Sequence, residues 1–304
     1  MRGFRPHPEP TSPDVQAGYN ESMRTLQKAI IEEMGVQPRI DPAQEVQRRV
    51  QLLCDYAAAS HCPGFVLGIS GGVDSTLAGR LAQLAVEQMR QEGREASFVA
   101  VRLPYRVQAD EDDAQEALRF IRADEALTVD VAPGADGIAQ QVEAALGAAT
   151  SDFNKGNIKA RVRAVAQYAI AGQRGLLVLG TDHGAESVTG FFTKFGDGAA
   201  DVLPLFGLDK RQIRSIVRHL GGPESLWSKA PTADLLDASP GRTDEDELGL
   251  GYDSIDDYLE GREVPDEIAE RIEARWRMTR HKRTTPATLL DLSLIHISEP
   301  TRPR

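Results

Sequence analysis

The segment that restricts the fold most sharply is Gly68-Ile-Ser-Gly-Gly-Val-Asp-Ser75, a glycine-rich bend between an apolar run and a helix. The run before it, Gly64-Phe-Val-Leu-Gly-Ile-Ser70, is short and rich in β-formers, and a helical stretch follows from Ser75 to about Glu92. Glycines at a strand-to-helix junction let backbone N–H groups come close to an anion. The hydroxyls of Ser70 and Ser75 add donors, and the helix N-terminus adds partial positive charge. No Gly-Lys-Ser/Thr follows, so this is not a Walker loop, and the spacing is not GxGxxG. Asp74 has no place beside a bare phosphate. It makes sense where a divalent cation bridges it to phosphate oxygens, so Asp74 is expected to be a Mg²⁺ ligand.

Strand and helix keep alternating beyond this unit. An amphipathic helix from Asp41 to Ser60, capped by Asp41-Pro42, precedes it. After it come a strand over Ala96–Leu103, a helix over Asp110–Ile121 and a strand over Ala126–Val131. A helix from about Asn157 to Ala171 then leads into a strand over Leu176–Thr181. Strands apolar on both faces and separated by helices predict an α/β fold, a Rossmann-like doubly wound parallel sheet with helices on both faces. Ligands in such sheets bind beyond the carboxyl ends of the strands, where Ser70-Gly71-Gly72 and Thr181-Asp182-His183 emerge into one crevice. Past Thr193 the pattern weakens into the loops Phe195–Gly198 and Pro231–Gly251, with helices near Asp209–Leu220 and Pro265–Arg280. The acidic stretch Asp244–Glu247 reads as solvated surface, with a mobile lid as the alternative.

A chain of 304 residues can bury a sizeable core, and no apolar run is long enough to cross a bilayer. The net charge of -11 excludes a broad grip on nucleic-acid backbone and sends any anionic ligand to a local pocket. Two cysteines, Cys54 and Cys62, supply neither a zinc pattern nor a disulfide framework. With no secretory h-region in the first residues, a cytoplasmic protein is expected. Residues 1–22 read as a flexible leader, 23–286 as one domain and 287–304 as a tail. From about Ser293 the tail has the look of a translated sequencing adapter rather than a protein element.

The octet resembles the SGGxDS loop of the ATP-pyrophosphatase superfamily, whose fold is adenine nucleotide alpha hydrolase-like. Further segments sharpen the resemblance: Val101-Arg-Leu-Pro-Tyr105, Gly156-Asn157 with Lys159-Ala-Arg161, Gly180-Thr-Asp-His-Gly-Ala-Glu186, Thr189-Gly-Phe-Phe-Thr-Lys194, Lys229-Ala-Pro-Thr-Ala-Asp234 and Ile255-Asp-Asp-Tyr-Leu-Glu-Gly261. Together they resemble the bacterial NAD synthetase family over about Met23–Pro286. That resemblance implies ATP binding by Gly68, Ile69, Ser70, Gly71, Gly72, Val73, Asp74 and Ser75, with Thr181, Lys210 and Thr232. It implies Mg²⁺ on Asp74 and Glu186, and deamido-NAD contacts from Arg161, Lys194, Asp201, His281 and Lys282. A homodimer is implied as well. No glutaminase-like domain is read at the N-terminal side, so free ammonia is the expected nitrogen donor.

The implied reaction is attack of the nicotinate carboxylate on the α-phosphorus of ATP, giving an acyl-adenylate and pyrophosphate, after which ammonia displaces AMP. Asp182 and Asp201 are weak candidates for deprotonating ammonium. Taken singly, Arg161 and Lys194 read as surface charges, Lys210 as an exposed helix start and His183 as a turn histidine; only the joint pattern lifts the cations into a site. Val73 stands where many members carry glutamine. Rival readings are a GMP synthetase-like domain, a tRNA-modifying thiolase, for which catalytic cysteines and a basic surface are missing, and a nucleotide-binding regulator without turnover.

Overall fold

The computed structural model describes residues 23–106, 111–229 and 243–289. The leader, Thr232 and the tail from 290 onward lie outside the described residues. Helices α1 (Thr25–Met34) and α2 (Pro42–Ala59) come first. Asp41 caps α2 by accepting the N–H groups of Ala43 and Gln44, with Pro42 in the first turn, as its sequence predicts. There follow β1 (Gly64–Gly68), α3 (Val73–Gln91), β2 (Ser97–Arg102), α4 (Glu111–Ile121), β3 (Glu125–Thr128), α5 (Ala132–Leu146), α6 (Asp152–Arg174) and β4 (Leu177–Val178). Helices complete the described chain: α7 (Gly184–Thr189), α8 (Lys210–His219), α9 (Glu224–Ser228), α10 (Asp244–Leu248), α11 (Tyr252–Leu259), α12 (Asp266–Met278) and α13 (Arg280–Arg283).

All strand pairs are parallel and the order is β3-β2-β1-β4. From β1 the chain winds outward through β2 to β3, then returns past β1 to β4. The order thus reverses between β1 and β4, where a crevice opens at the carboxyl ends. Successive side chains of β1 feed opposite faces. Phe65 and Leu67 pack with Leu53, Leu77, Leu81, Ile213 and Val217 from α2, α3 and α8, while Val66 packs with Val99, Val101, Val178 and Ala171 under α6. The doubly wound α/β fold with helices on both faces is therefore present. Gly64 pairs with Ser97 at φ +142°, and a Cβ there would stand 1.8 Å from the Ser97 carbonyl oxygen, so only glycine lets β1 begin where it does.

Several elements depart from the expected pattern: α1, α9, α10 and α11 fall where no helix was read, β3 ends at Thr128 rather than Val131, and three further departures have an identifiable cause. Helix α5 was not expected, because Pro133, Gly134 and Gly137 break its periodicity. The proline falls in the first turn, where it is tolerated, and Ala132, Ala135 and Ala139 provide the buried stripe. Helix α6 begins at Asp152 rather than Asn157, because the Ser151 hydroxyl accepts the Asn154 N–H at 3.3 Å and starts the helix ahead of Gly156. Strand β4 is two residues long, and the apolar chain beyond it makes a single parallel bridge, Leu179 to Val202. A separate apolar cluster joins α1, α7, α11 and α12 through Ile30, Met34, Val188, Tyr252, Tyr258 and Ile272. It anchors α7 beside the end of the sheet.

Candidate active site

Beyond β1 the Ile69 N–H still bonds to the Val101 carbonyl at 2.9 Å, and then the chain turns away into α3. The turn is knit by its own hydroxyls: Ser70 Oγ lies 3.1 Å from Ser75 Oγ and accepts the Gly72 N–H at 3.2 Å. Arg102, buried at the end of β2, braces the bend by donating to the Ile69 carbonyl at 2.8 Å. On the other side β1 and β4 part company after Leu179 bonds to Val66. The Gly68 N–H left by that parting is taken by the Gln167 side-chain oxygen of α6, at 2.6 Å.

The crevice is a cavity of about 390 Å³. Gly68, Ile69, Ser70, Gly72, Val73, Asp74 and Ser75 line one wall, and Gly180, Thr181 and Glu186 the other. Behind them lies a charged cluster. Lys210, the first residue of α8, is fully buried and donates from Nζ to Asp74 Oδ2 at 2.8 Å; Glu186 Oε1 is 3.6 Å away. His183 Nε2 sits 3.5 Å from Asp74 Oδ1, 3.4 Å from Glu186 Oε1 and 3.3 Å from Lys210 Nζ. The Tyr252 ring lies 4.6 Å from Lys210 Nζ.

Burial alone would lower the Lys210 pKa, but Asp74 and Glu186 outweigh it and hold the ammonium above its ordinary value. Burial would raise the Glu186 carboxyl, yet His183 and Lys210 bring it well below the usual range. His183 also ends up raised, because Glu186 and Asp74 overcome the effects of burial and Lys210. Asp182 is pushed up to about 7 by burial and by Glu186, against the hydrogen bond from Ser187.

Asp74, His183 and Glu186 each offer a ligand atom, all within 4.8 Å of one another. Asp74 Oδ1 is buried with no hydrogen-bond partner. A carboxylate oxygen with no hydrogen bond of its own, beside a second carboxylate, is the donor chemistry a hard divalent cation takes, so these residues fit Mg²⁺.

Of the residues expected to meet deamido-NAD, Arg161, Lys194, His281 and Lys282 are brought together. Arg161 donates to the Lys194 carbonyl at 3.3 Å, Lys194 donates to the His281 carbonyl, and Lys282 donates to the carbonyls of Gly190 and Phe192 at 2.7 and 2.6 Å. Lys282 also lines the cavity. Asp201 is engaged elsewhere: its carboxylate accepts the Val178 N–H at 2.8 Å and faces the Tyr168 hydroxyl at 3.5 Å.

Three single-residue readings need correction. Lys210 is not an exposed helix start, because two carboxylates and an aromatic ring compensate its burial. Asp244 is not solvated surface: it is buried at the cavity and accepts from the Tyr252 hydroxyl at 3.3 Å, and burial pushes its carboxyl up to about 6. His183 is held by the charged cluster rather than by its turn. Sequence reasoning also missed Gln167 and Arg102. A helix-borne glutamine and a strand-end arginine carry no local signal of a role in another element's loop.

Such a sheet, with a non-Walker phosphate bend at the point where its strand order reverses, defines an adenine nucleotide alpha hydrolase-like α/β protein. The family model for NAD synthase matches residues 45–286. The chain belongs to that family. A curated relative, the NH3-dependent NAD(+) synthetase of Bacillus cereus, is 60% identical over 267 residues, covering 88% of this chain and 98% of the relative. The crystal structure of an NAD+ synthetase from Burkholderia pseudomallei is 50% identical with a TM-score of 0.75, covering 86% of this chain and 97% of that one. An NMN synthetase structure from Francisella tularensis is 35% identical with a TM-score of 0.72, covering 82% and 99%.

Proposed function

We propose that this protein is a ligase forming a C–N bond, the ATP-dependent amidation of deamido-NAD by ammonia to give NAD, AMP and pyrophosphate. The observation that carries the reading is the phosphate bend with Asp74 on one wall of the crevice, Glu186 on the other and Lys210 buried behind them within 3.6 Å of both carboxylates, in a chain 60% identical to an NH3-dependent NAD(+) synthetase. A carboxylate does not expel oxide, so the nicotinate carboxyl is first activated: its oxygen attacks the α-phosphorus, the bond to the bridging oxygen breaks and pyrophosphate leaves. Ammonia then attacks the acyl carbon and AMP departs.

Backbone N–H groups of residues 70–72, the Ser70 and Ser75 hydroxyls and the Lys210 ammonium bind and orient the triphosphate and stabilise charge on the leaving group. Asp74 and Glu186 would hold Mg²⁺, which supplies Lewis-acid neutralisation of the phosphates when bound. The Arg161, Lys194, His281 and Lys282 group is a local positive patch in an acidic protein, suited to a dinucleotide.

The reading also takes residues 23–286 as one catalytic unit, in a cytoplasmic homodimer. Exposed apolar side chains on α5 and α6, Ile138, Val142, Leu146, Phe153 and Val165, support pairing of copies, and both cysteines are free thiols. The test mixes purified protein, ATP, Mg²⁺ and ammonium with deamido-NAD, with nicotinate mononucleotide or with xanthosine monophosphate. AMP and an amidated product are expected with deamido-NAD. A clear preference for the mononucleotide would move the chain to the activity named for the Francisella relative, and ATP binding without turnover would make it a regulator.

A further inference from the structure

Asp74 and Glu186 line the cavity, whereas Lys210 is fully buried behind them. Its ammonium takes Asp74 Oδ2 at 2.8 Å and stands 3.6 Å from Glu186 Oε1, in the space between the two carboxylates. The opposite oxygen, Asp74 Oδ1, is buried without a hydrogen-bond partner. Lys210 thus offsets one of the two negative charges that a cation would need, alongside His183 Nε2 at 3.5 and 3.4 Å from the same carboxylates, and holds one of their four oxygens outright.

We infer that Lys210 is the resident counter-ion of the metal site, keeping it closed to a bare divalent cation and giving up Asp74 only when a triphosphate offers the ammonium another anion. This rests on the reading of Asp74 and Glu186 as metal ligands. A divalent ion bound to both carboxylates would sit a few ångströms from an ammonium that cannot reach solvent, and like charges that close in a buried site exclude one another. Lys210 is the first residue of α8, and Asp209 and Asp256 hold that helix start, so the exchange asks for a change in the lysine side chain alone. The freed Asp74 Oδ2 then joins Oδ1, which has no hydrogen bond and His183 Nε2 at 3.5 Å. Cation and nucleotide therefore arrive together, and the cation alone binds poorly.

The test is Mn²⁺ binding by calorimetry, with Mn²⁺-induced thermal stabilisation as a second readout, on the full chain without nucleotide. Lys210→Met and Lys210→Gln are each expected to bind Mn²⁺ at least ten-fold more tightly than wild type, with the gain lost when Asp74→Asn is added. Because either buried substitution can impair folding, the wild type supplies an independent arm: inorganic tripolyphosphate is expected to create Asp74-dependent Mn²⁺ binding that Mn²⁺ alone does not show. A folded Lys210 variant that binds no more tightly, alongside a wild type that binds Mn²⁺ at Asp74 with tripolyphosphate, overturns the counter-ion role and leaves the metal ligands standing. Indifference to Asp74→Asn in every state overturns both.

Discussion

Asp256 caps from outside the same helix that Asp209 caps from within. Asp209 accepts the Gln212 N–H at 2.8 Å in a capping box, while Asp256, on α11, accepts the N–H groups of Lys210 and Arg211 at 3.1 and 2.8 Å. Burial, and then the charge of Asp256, raise the Asp209 carboxyl well above the usual carboxylate range, and Asp209 Oδ2 is buried without a partner. The folded state thus holds a proton that the unfolded chain releases near the ordinary carboxylate pKa. Where the folded state binds more protons, stability falls as pH rises, from that ordinary value up through the raised one. Asparagine is an equally good cap and cannot ionise. Asp209→Asn is therefore expected to melt above wild type at pH 8, with the gap narrowing steadily toward pH 5 and closing only near the ordinary carboxylate pKa, in melting curves taken from pH 8 to pH 4.

Asp74→Asn and Glu186→Gln each remove a charge from the cavity wall while keeping size and shape. Losing one charge-stabilising group at such a site costs on the order of a hundred- to a thousand-fold in kcat. Pyrophosphate release should fall by that factor while circular dichroism stays native. Wild-type turnover in either variant would remove the metal assignment.

Gly71 turns the phosphate bend at φ +90°, and a Cβ there would come within 2.9 Å of the Ala114 backbone nitrogen. Neither strain nor contact has a flexible side chain to absorb it. Gly71→Ala is expected to lose roughly 1–3 kcal/mol of stability and to bind ATP weakly by calorimetry, since the N–H groups around the anion move with the bend.

Gln167 completes the bond that the sheet gives up at Gly68. Gln167→Leu leaves that N–H unpaired, at a cost of about 1–3 kcal/mol, and should lower the melting temperature. Gln167→Glu keeps the acceptor but adds negative charge to the wall of the cavity, so it should melt near wild type and show a higher KM for ATP. The split between the two variants separates support of the loop from contact with the nucleotide.

What was legible in the chain was local or periodic: the apolar runs, the cap at Asp41, and the octet whose glycines have one good use at a strand-to-helix junction. These led to the parallel sheet, its helices on both faces and the crevice at the strand ends, because each is written in neighbouring residues. Helix α5 and the start of α6 stayed hidden where glycine and proline blurred the period, and tertiary burial of Ala135, Ala139 and Ala160 supplied what propensity did not. The charged cluster is a different matter. Lys210, His183, Asp74 and Asp244 come from four separate segments, and each alone is an ordinary polar residue. Whether a lysine is solvated or buried as a counter-ion depends on which charges the fold sets around it. That is a property of three-dimensional proximity, where Coulomb attraction at a few ångströms competes with desolvation, and no linear spacing encodes it.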